Sequence, residues 1–160
     1  MAVFLSAIGK KVHISDDDVM VLAMDVTETS HHKQHLDRVL THFGQVDILI
    51  NNAGRLQLAH WLNIDVKVDR QLFENNVFGL LNLTRVVLPH FLAKKSGKIA
   101  TTSSVGGKFG APFSATYNAT KHALHVSHFK IKLKTSLHDN FIDFDEASVY
   151  HVGYSLMVGL

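Results

Sequence analysis

The 160-residue sequence contains no cysteine, so neither a disulfide framework nor a thiolate-held metal is open to it. Net charge is scarce as well, only +2 with histidine neutral, and the lysines and arginines are scattered. The basic stripe of a nucleic-acid-binding domain is absent. Long apolar runs are lacking. The opening residues Met1-Ala2-Val3-Phe4-Leu5-Ser6-Ala7-Ile8-Gly9 are apolar, but no basic residue precedes them and they stop at Lys10-Lys11. That is too short for a signal peptide or a membrane-spanning helix, and the sequence as written reads as soluble. There are no internal repeats or low-complexity segments. The balance of 19% charged and 46% hydrophobic residues suits a globular protein and not a disordered or collagen-like one. The length fits one domain with a core of its own.

What is present is an alternation of two periodicities. Residues 19–24 form a continuous apolar run of strand length, the pattern of a parallel strand covered on both faces. Residues 29–43 carry Leu36, Val39, Leu40 and Phe43 at helical spacing, with Thr and Ser at the start and Gly44 as a stop. A second strand is expected over 46–50, an exit turn over 51–54, and a long helix over 72–92 with Pro89 near its end. A third unit follows, with a strand over 98–102, a glycine-rich loop, and a helix over about 114–133. Strand, helix, strand is the βαβ unit. The expected fold is therefore α/β, a partial Rossmann-like, doubly wound parallel sheet in a three-layer α/β/α arrangement, with ligands at the carboxyl ends of the strands. Asp25, the turn from Asn52 to Gly54, and Ser104 all stand at such ends.

Tyr117 and Lys121 lie one helical turn apart in Tyr117-Asn118-Ala119-Thr120-Lys121, and residues i and i+4 share a helix face. An ammonium held near a phenol favours the phenolate, which is what a general acid/base requires. Ser104, thirteen positions upstream of Tyr117, follows an apolar strand in Thr101-Thr102-Ser103-Ser104 and can turn its hydroxyl toward a substrate oxygen. A lone Tyr-x-x-x-Lys pair is common on solvated helices. Here it is accompanied by Asn51-Asn52-Ala53-Gly54 after an apolar strand, by Asn76-Val77-Phe78-Gly79 in an amphipathic stretch, and by Asp25-Val26-Thr27 at the end of another apolar run.

The order and spacing of these pieces resemble the short-chain dehydrogenase/reductase family, from about residue 19 to 125, roughly two thirds of the chain. In wording, the stretch from Gly107 through Tyr117 to His125 looks most like the dehydrogenase/reductase member 7 subgroup. The resemblance implies a catalytic set of Asn76, Ser104, Tyr117 and Lys121. Ser104 would hydrogen-bond the substrate oxygen, and Tyr117 would transfer the proton. Lys121 would bind the nicotinamide ribose, and Asn76 would bend its helix through a water and complete a proton relay. For the cofactor it implies Asp25 and Val26 at the adenine and Asn52, Ala53 and Gly54 along the cleft, with Asn51 bracing the sheet, and Tyr117 and Lys121 at the nicotinamide end. Read from the residues alone, Asp25 serves equally as a helix cap or turn, and the Asn51 to Gly54 turn as a tie between strands. The cofactor implied is NAD or NADP, with the subgroup tilting toward NADP. The implied substrate is a lipophilic alcohol or carbonyl such as a steroid or retinoid, and the implied assembly a homodimer through the helices 72–92 and 114–133. Subgroup members often carry an N-terminal anchor in the endoplasmic reticulum membrane, for which this sequence shows no counterpart.

The sequence also departs from the family. The Thr-Gly-x-x-x-Gly-x-Gly turn that seats a pyrophosphate on a helix N-terminus does not occur; only Gly9 precedes residue 19. After His125 no strand ending in Pro-Gly follows. The chain accordingly divides into an atypical segment 1–18, a partial NAD(P)-binding domain 19–134, and an atypical segment 135–160, the pattern of a truncated or mis-spliced product. The strand at 19–24 would then lack its neighbour, so that either residues 2–8 substitute or an edge stays open. A catalytically inactive fragment that at most dimerises is the competing expectation. A metal module is a third, since His31 and His35, and His122, His125 and His128, recur at helical spacing. Neither cluster has a carboxylate at ligand spacing, and no metal site is expected. The glycosylation-like triplets at Asn82 and Asn118 fall within expected helices and read as chance matches.

Overall fold

The structure, a computed structural model, describes residues 3–5 and 18–131. In chain order its elements are β1 (Val3–Leu5), α1 (His32–Phe43), β2 (Ile48–Asn51), α2 (Val66–Phe73), α3 (Gly79–Lys94), β3 (Lys98–Thr101) and α4 (Ala115–Ile131). The segment 135–160 lies outside the described residues, as does most of 1–18.

The expected βαβ unit forms. Strands β2 and β3 pair in parallel, from Ile48 opposite Lys98 to Asn51 opposite Thr101, with α2 and α3 as the crossover. Gly44 stops α1 as its position suggested: it takes φ 77°, and its N–H donates to Leu40 O at 2.8 Å. The Thr and Ser before α1 give no side-chain cap and instead form a single 3-10 turn, Thr29–His31. The crossover helix starts earlier than expected because Asp65 caps it, accepting from the Lys67 N–H at 2.7 Å. Leu36 and Val39 of α1, Leu49 of β2, and Leu83, Val87 and Phe91 of α3 make one buried cluster with Val46. Each such side chain contributes roughly 1.5–3 kcal/mol when fully removed from water. Residues 66–94 are long and apolar enough to cross a membrane. Their apolar side lies in this core, and the buried Asn76 and Thr84 among them find hydrogen-bond partners in neighbouring elements, so the helix serves as the central helix of an α/β domain.

The run at 19–24 does not form the expected strand. It takes no regular secondary structure. Met20, Leu22 and Met24 lean on the core, while Val19 and Val21 are 53% and 89% exposed. The composition is that of a strand, yet a strand exists only where another offers it hydrogen bonds, and among the described residues no strand pairs with it. The short β1 does form, but it pairs antiparallel with β2, Val3 opposite Ile50, so that the described sheet has the order β1-β2-β3. Local apolar sequence thus takes the edge of β2 that 19–24 does not.

What holds residues 24–27 in place is a close backbone approach. The Val26 carbonyl rests against Gly79 at the start of α3, where an added Cβ would stand 2.5 Å from the oxygen. The same carbonyl is 3.1 Å from Nε2 of the fully buried His32. The glycine of the Asn76-Val77-Phe78-Gly79 motif is therefore a docking surface for the end of the 19–25 run. In an unconstrained helix Gly→Ala would gain about 0.5–1 kcal/mol. Gly79→Ala is expected to reverse that sign and cost about 1–3 kcal/mol through overpacking, read as a lower urea midpoint; an unchanged or higher midpoint would mean that Val26 yields.

Candidate active site

Three segments converge beyond the carboxyl ends of β2 and β3. The β3 exit runs through Thr102 and Ser103 to Ser104, which begins a 3-10 turn, Val105–Gly107. Ser104 is extended (φ −160°, ψ 162°), and its Oγ accepts the Gly106 N–H at 3.1 Å. With a lone pair so engaged, its proton is left to donate. Tyr117 and Lys121 approach from the first turns of α4. The Tyr117 ring borders the same turn, since a Cβ at Gly106 would stand 3.4 Å from Cε1. The Lys121 Nζ sits 5.8 Å from the Tyr117 ring centroid and donates to Thr102 O at 3.0 Å. Lys121 is 4% exposed. Burial pushes its amine down to about 8, because a charged group loses hydration there.

Asn76 is fully buried within a widened turn, Glu74–Phe78, between α2 and α3. The Gly79 N–H reaches back five residues to Glu74 O, a π-type turn of the kind that marks functional sites. Its amide is committed to protein partners: Oδ1 accepts from Arg55 N at 2.7 Å, and Nδ2 donates to Arg55 O at 2.9 Å and Thr120 Oγ1 at 3.1 Å. The helix does widen at Asn76, then, and the side chain ties the β2 exit to α4. Lys121 and Asn76 meet at Gly54, where a Cβ would lie 3.3 Å from Nζ and 3.6 Å from Asn76 Oδ1.

The expected cofactor residues fall together in part. A cleft of about 310 Å³ is lined by Met24, Asp25, Val26, Ala53, Gly54 and Asn75 among others. Asn52 lies beside it and accepts from Thr102 Oγ1 at 2.8 Å. Asn51 braces the sheet, its Nδ2 donating to Thr84 Oγ1 at 2.9 Å. Asp25 is also a turn residue: its Oδ1 accepts from the Thr27 N–H and hydroxyl at 2.9 and 2.8 Å, bonds that hold its carboxyl below the usual range. Among the described residues the buried Asn75 Oδ1 has no hydrogen-bond partner. These residues fit the adenine and ribose of a dinucleotide; a pyrophosphate loop is not among them. A wider hollow of about 680 Å³ along α1, lined by Met20, Lys33, Asp37, Arg38 and His42 among others, involves none of the candidate residues.

The histidines part company. His122 bonds Asn118 O on its own helix at 2.8 Å, whereas the His125 Nε2 is 3.0 Å from Ser103 Oγ. Among the described residues no three His, Cys, Asp or Glu side chains converge on one point. The amides of Asn82 and Asn118 are taken by His32 and by Ala111 O and Ser114. His125 and Thr120 contact the candidate residues' neighbourhood, through Ser103 and Asn76, in a way that motif reading did not anticipate. The signal for His125 was its place four residues beyond Lys121 on the same helical stripe.

A parallel βαβ unit with Tyr117 and Lys121 facing the loop that begins at Ser104, beyond its carboxyl edge, is the arrangement the sequence resemblance implies. A family model described as short chain dehydrogenase matches residues 4–143, and the chain belongs to that family. It is similar to dehydrogenase/reductase SDR family member 7 of mouse and of human, 40% identical to each over 112 residues, which is 70% of this chain and 33% of those proteins. The chain thus spans about a third of the length of the curated relatives it matches. Among solved structures, a short-chain dehydrogenase/reductase from Burkholderia phymatum in complex with NAD is 28% identical, with TM-score 0.69 over 72% of this chain and 41% of that one. ElxO with NADP bound is 26% identical, with TM-score 0.65 over 68% and 44%. The fold is accordingly a partial Rossmann-like α/β domain, close in sequence to the member 7 subgroup.

The lowered Lys121 value has a stability consequence. Between about 8, where the folded amine loses its proton, and its ordinary 10.5, the unfolded chain holds more protons, so stability contributed by this group rises with pH across that window. Lys121→Met removes the buried charge. It is expected to raise the urea midpoint at neutral pH, by on the order of 1–3 kcal/mol, and to lose the advantage as pH climbs toward 10. A variant-minus-wild-type difference that stays flat from neutral to alkaline pH would place the charge in water instead.

Proposed function

We propose that the chain carries the substrate- and ribose-facing half of an NAD(P)-dependent short-chain dehydrogenase/reductase acting on a lipophilic alcohol or carbonyl. The observation that carries this reading is the α4 stripe, with Tyr117 and Lys121 closing on the loop that begins at Ser104. Ser104, its oxygen held by Gly106, donates its proton in a hydrogen bond to the substrate oxygen. Tyr117 gives a proton to that oxygen in reduction and takes it in oxidation. Lys121 stabilises negative charge on the phenol and offers its remaining N–H bonds to the ribose. Asn76 keeps Arg55, Thr120 and, through Gly54, Lys121 in register. Asp25, Val26, Ala53 and Gly54 hold the adenine side. The nicotinamide supplies the hydride chemistry when bound.

The lipophilic substrate class is supported by the two loops flanking Ser104 and Tyr117. Leu56, Leu58, Trp61 and Leu62 stand exposed on one, Phe109 and Phe113 on the other. The loops are joined by the Ala59 N–H to Phe113 O bond at 2.9 Å and by His60 edge-on to Phe113. Exposed Phe78 and Leu92 on the central helix support pairing of two copies through the helices 72–92 and 114–133. A non-catalytic role confined to such pairing is the second reading, favoured by the exposed Phe78 and Leu92.

The two readings separate by titration. The 160-residue chain is expected to bind NAD(H) and NADP(H) far more weakly than a complete family member, because the helix N-terminus that takes the pyrophosphate is not encoded in it. Calorimetric affinity at micromolar or tighter for any of the four would mean that another segment rebuilds the phosphate site. When the chain is completed with a family-type first βα unit and C-terminal segment, Tyr117→Phe is expected to lower carbonyl-reductase turnover on the order of a hundredfold or more. Turnover retained within a few-fold would remove Tyr117 as proton donor.

A further inference from the structure

Tyr117, Lys121 and His125 stand at i, i+4 and i+8 on α4, one above the other, and each meets the chain leaving β3 at a different point. The Tyr117 ring borders Gly106, Lys121 Nζ bonds Thr102 O at 3.0 Å, and the half-buried His125 brings Nε2 to 3.0 Å from Ser103 Oγ. We propose that His125 is a positioning residue for Ser104: through Ser103 it locks the backbone that orients the Ser104 hydroxyl in the turn bordered by Tyr117. The proposal rests on the proton-transfer reading of Ser104 and Tyr117.

Three observations support the lock. Ser103 Oγ also reaches Lys121 O at 3.4 Å, so its side chain bridges two successive turns of α4. Its one proton suffices for either arrangement. A His125 protonated at Nε2 donates to Ser103, which donates on to Lys121 O; a His125 protonated at Nδ1 accepts from Ser103 instead. Second, the loop closes over this pair without spare room. A Cβ at Gly107 would stand 2.6 Å from Ser103 Oγ, 2.9 Å from His125 Nε2 and 2.9 Å from Lys121 O, so only glycine lets the 3-10 turn settle onto the bond. Third, that turn is what orients Ser104. The Gly106 N–H donates to Ser104 Oγ and the Gly107 N–H to Ser104 O, at 3.1 and 2.9 Å. Ser103 is thus fastened to α4 on one side of Ser104 and Gly107 on the other, which leaves the intervening serine one extended conformation.

Those two glycine amides report the lock directly in the chain as it is, without cofactor, substrate or turnover. In native-state hydrogen exchange at constant pH, His125→Ala is expected to speed exchange at Gly106 and Gly107 about tenfold, the equivalent of one hydrogen bond lost. The core amides of Leu36 and Val39 in α1 should keep their rates. Ser103→Ala should produce the same rise, and the double variant no more than either alone, as for two ends of one interaction. His125→Gln, whose amide can replace Nε2 as donor or acceptor, should return both glycines to within about twofold of wild type. Unchanged glycine exchange in His125→Ala, or additive rises in the double variant, would overturn the proposal. If His125→Ala also loosens α1, Ser103→Ala decides alone, since it removes a single oxygen. Failure of the proton-transfer reading looks different: the glycine amides respond as expected while the completed enzyme keeps its turnover in Tyr117→Phe.

Discussion

One buried amide organises this molecule. Asn76 exchanges two hydrogen bonds with the Arg55 backbone and donates a third to Thr120, so that one fully buried side chain joins the loop after β2, the central helix and α4. The widened turn at Glu74–Phe78 is how the helix presents that side chain inward without losing its continuity. The arrangement is costly to break. An apolar residue at 76 would remove all three bonds, each worth about 0.5–1.5 kcal/mol. Gly54, one residue before Arg55, is where Lys121 and Asn76 converge, so the residue that secures the fold also sets where the cationic end of the site lies.

The electrostatics of the site follow from this packing. Lys94 offsets its partial burial with Asp47 and the Val46 carbonyl. Lys121 is more deeply buried and has Thr102 O as its bonding partner, with desolvation the cause of its lowered pKa. A buried cation without a carboxylate detracts from stability. Such a cost is retained where charge is needed for chemistry, and the phenol of Tyr117 one turn away is the group that would use it. The exposed Lys33–Asp37 pair on α1 has no comparable consequence, because water screens it.

The sheet obeys a different constraint, the pairing of backbone groups. Strand β2 is served on both sides, by β3 in parallel and by β1 in antiparallel. The run at 19–24 has the apolar residues of a strand but pairs with no strand among the described residues, and it is held at one end by Gly79 and His32. Beyond that end Asp25 and Val26 still line the cleft. This side of the cleft is therefore kept in place by core packing and a helix contact.

By itself the sequence determined the βαβ alternation, a helix within 29–43 with its glycine stop, the parallel strands within 46–50 and 98–102, and the one-turn spacing of Tyr117 and Lys121. Each of these is local, written in hydrophobic period or in residues a few positions apart. Tertiary structure alone decided that 19–24 would pair with no strand among the described residues, that Val3–Leu5 would take β2's edge, that Asn76 would be answered by Arg55 and Thr120, and that His125 would meet Ser103. The reason is the same in each case. A hydrogen-bonding group carries no mark of which partner will satisfy it, and partners 21, 22 and 44 positions away are chosen only once the helices and strands have packed.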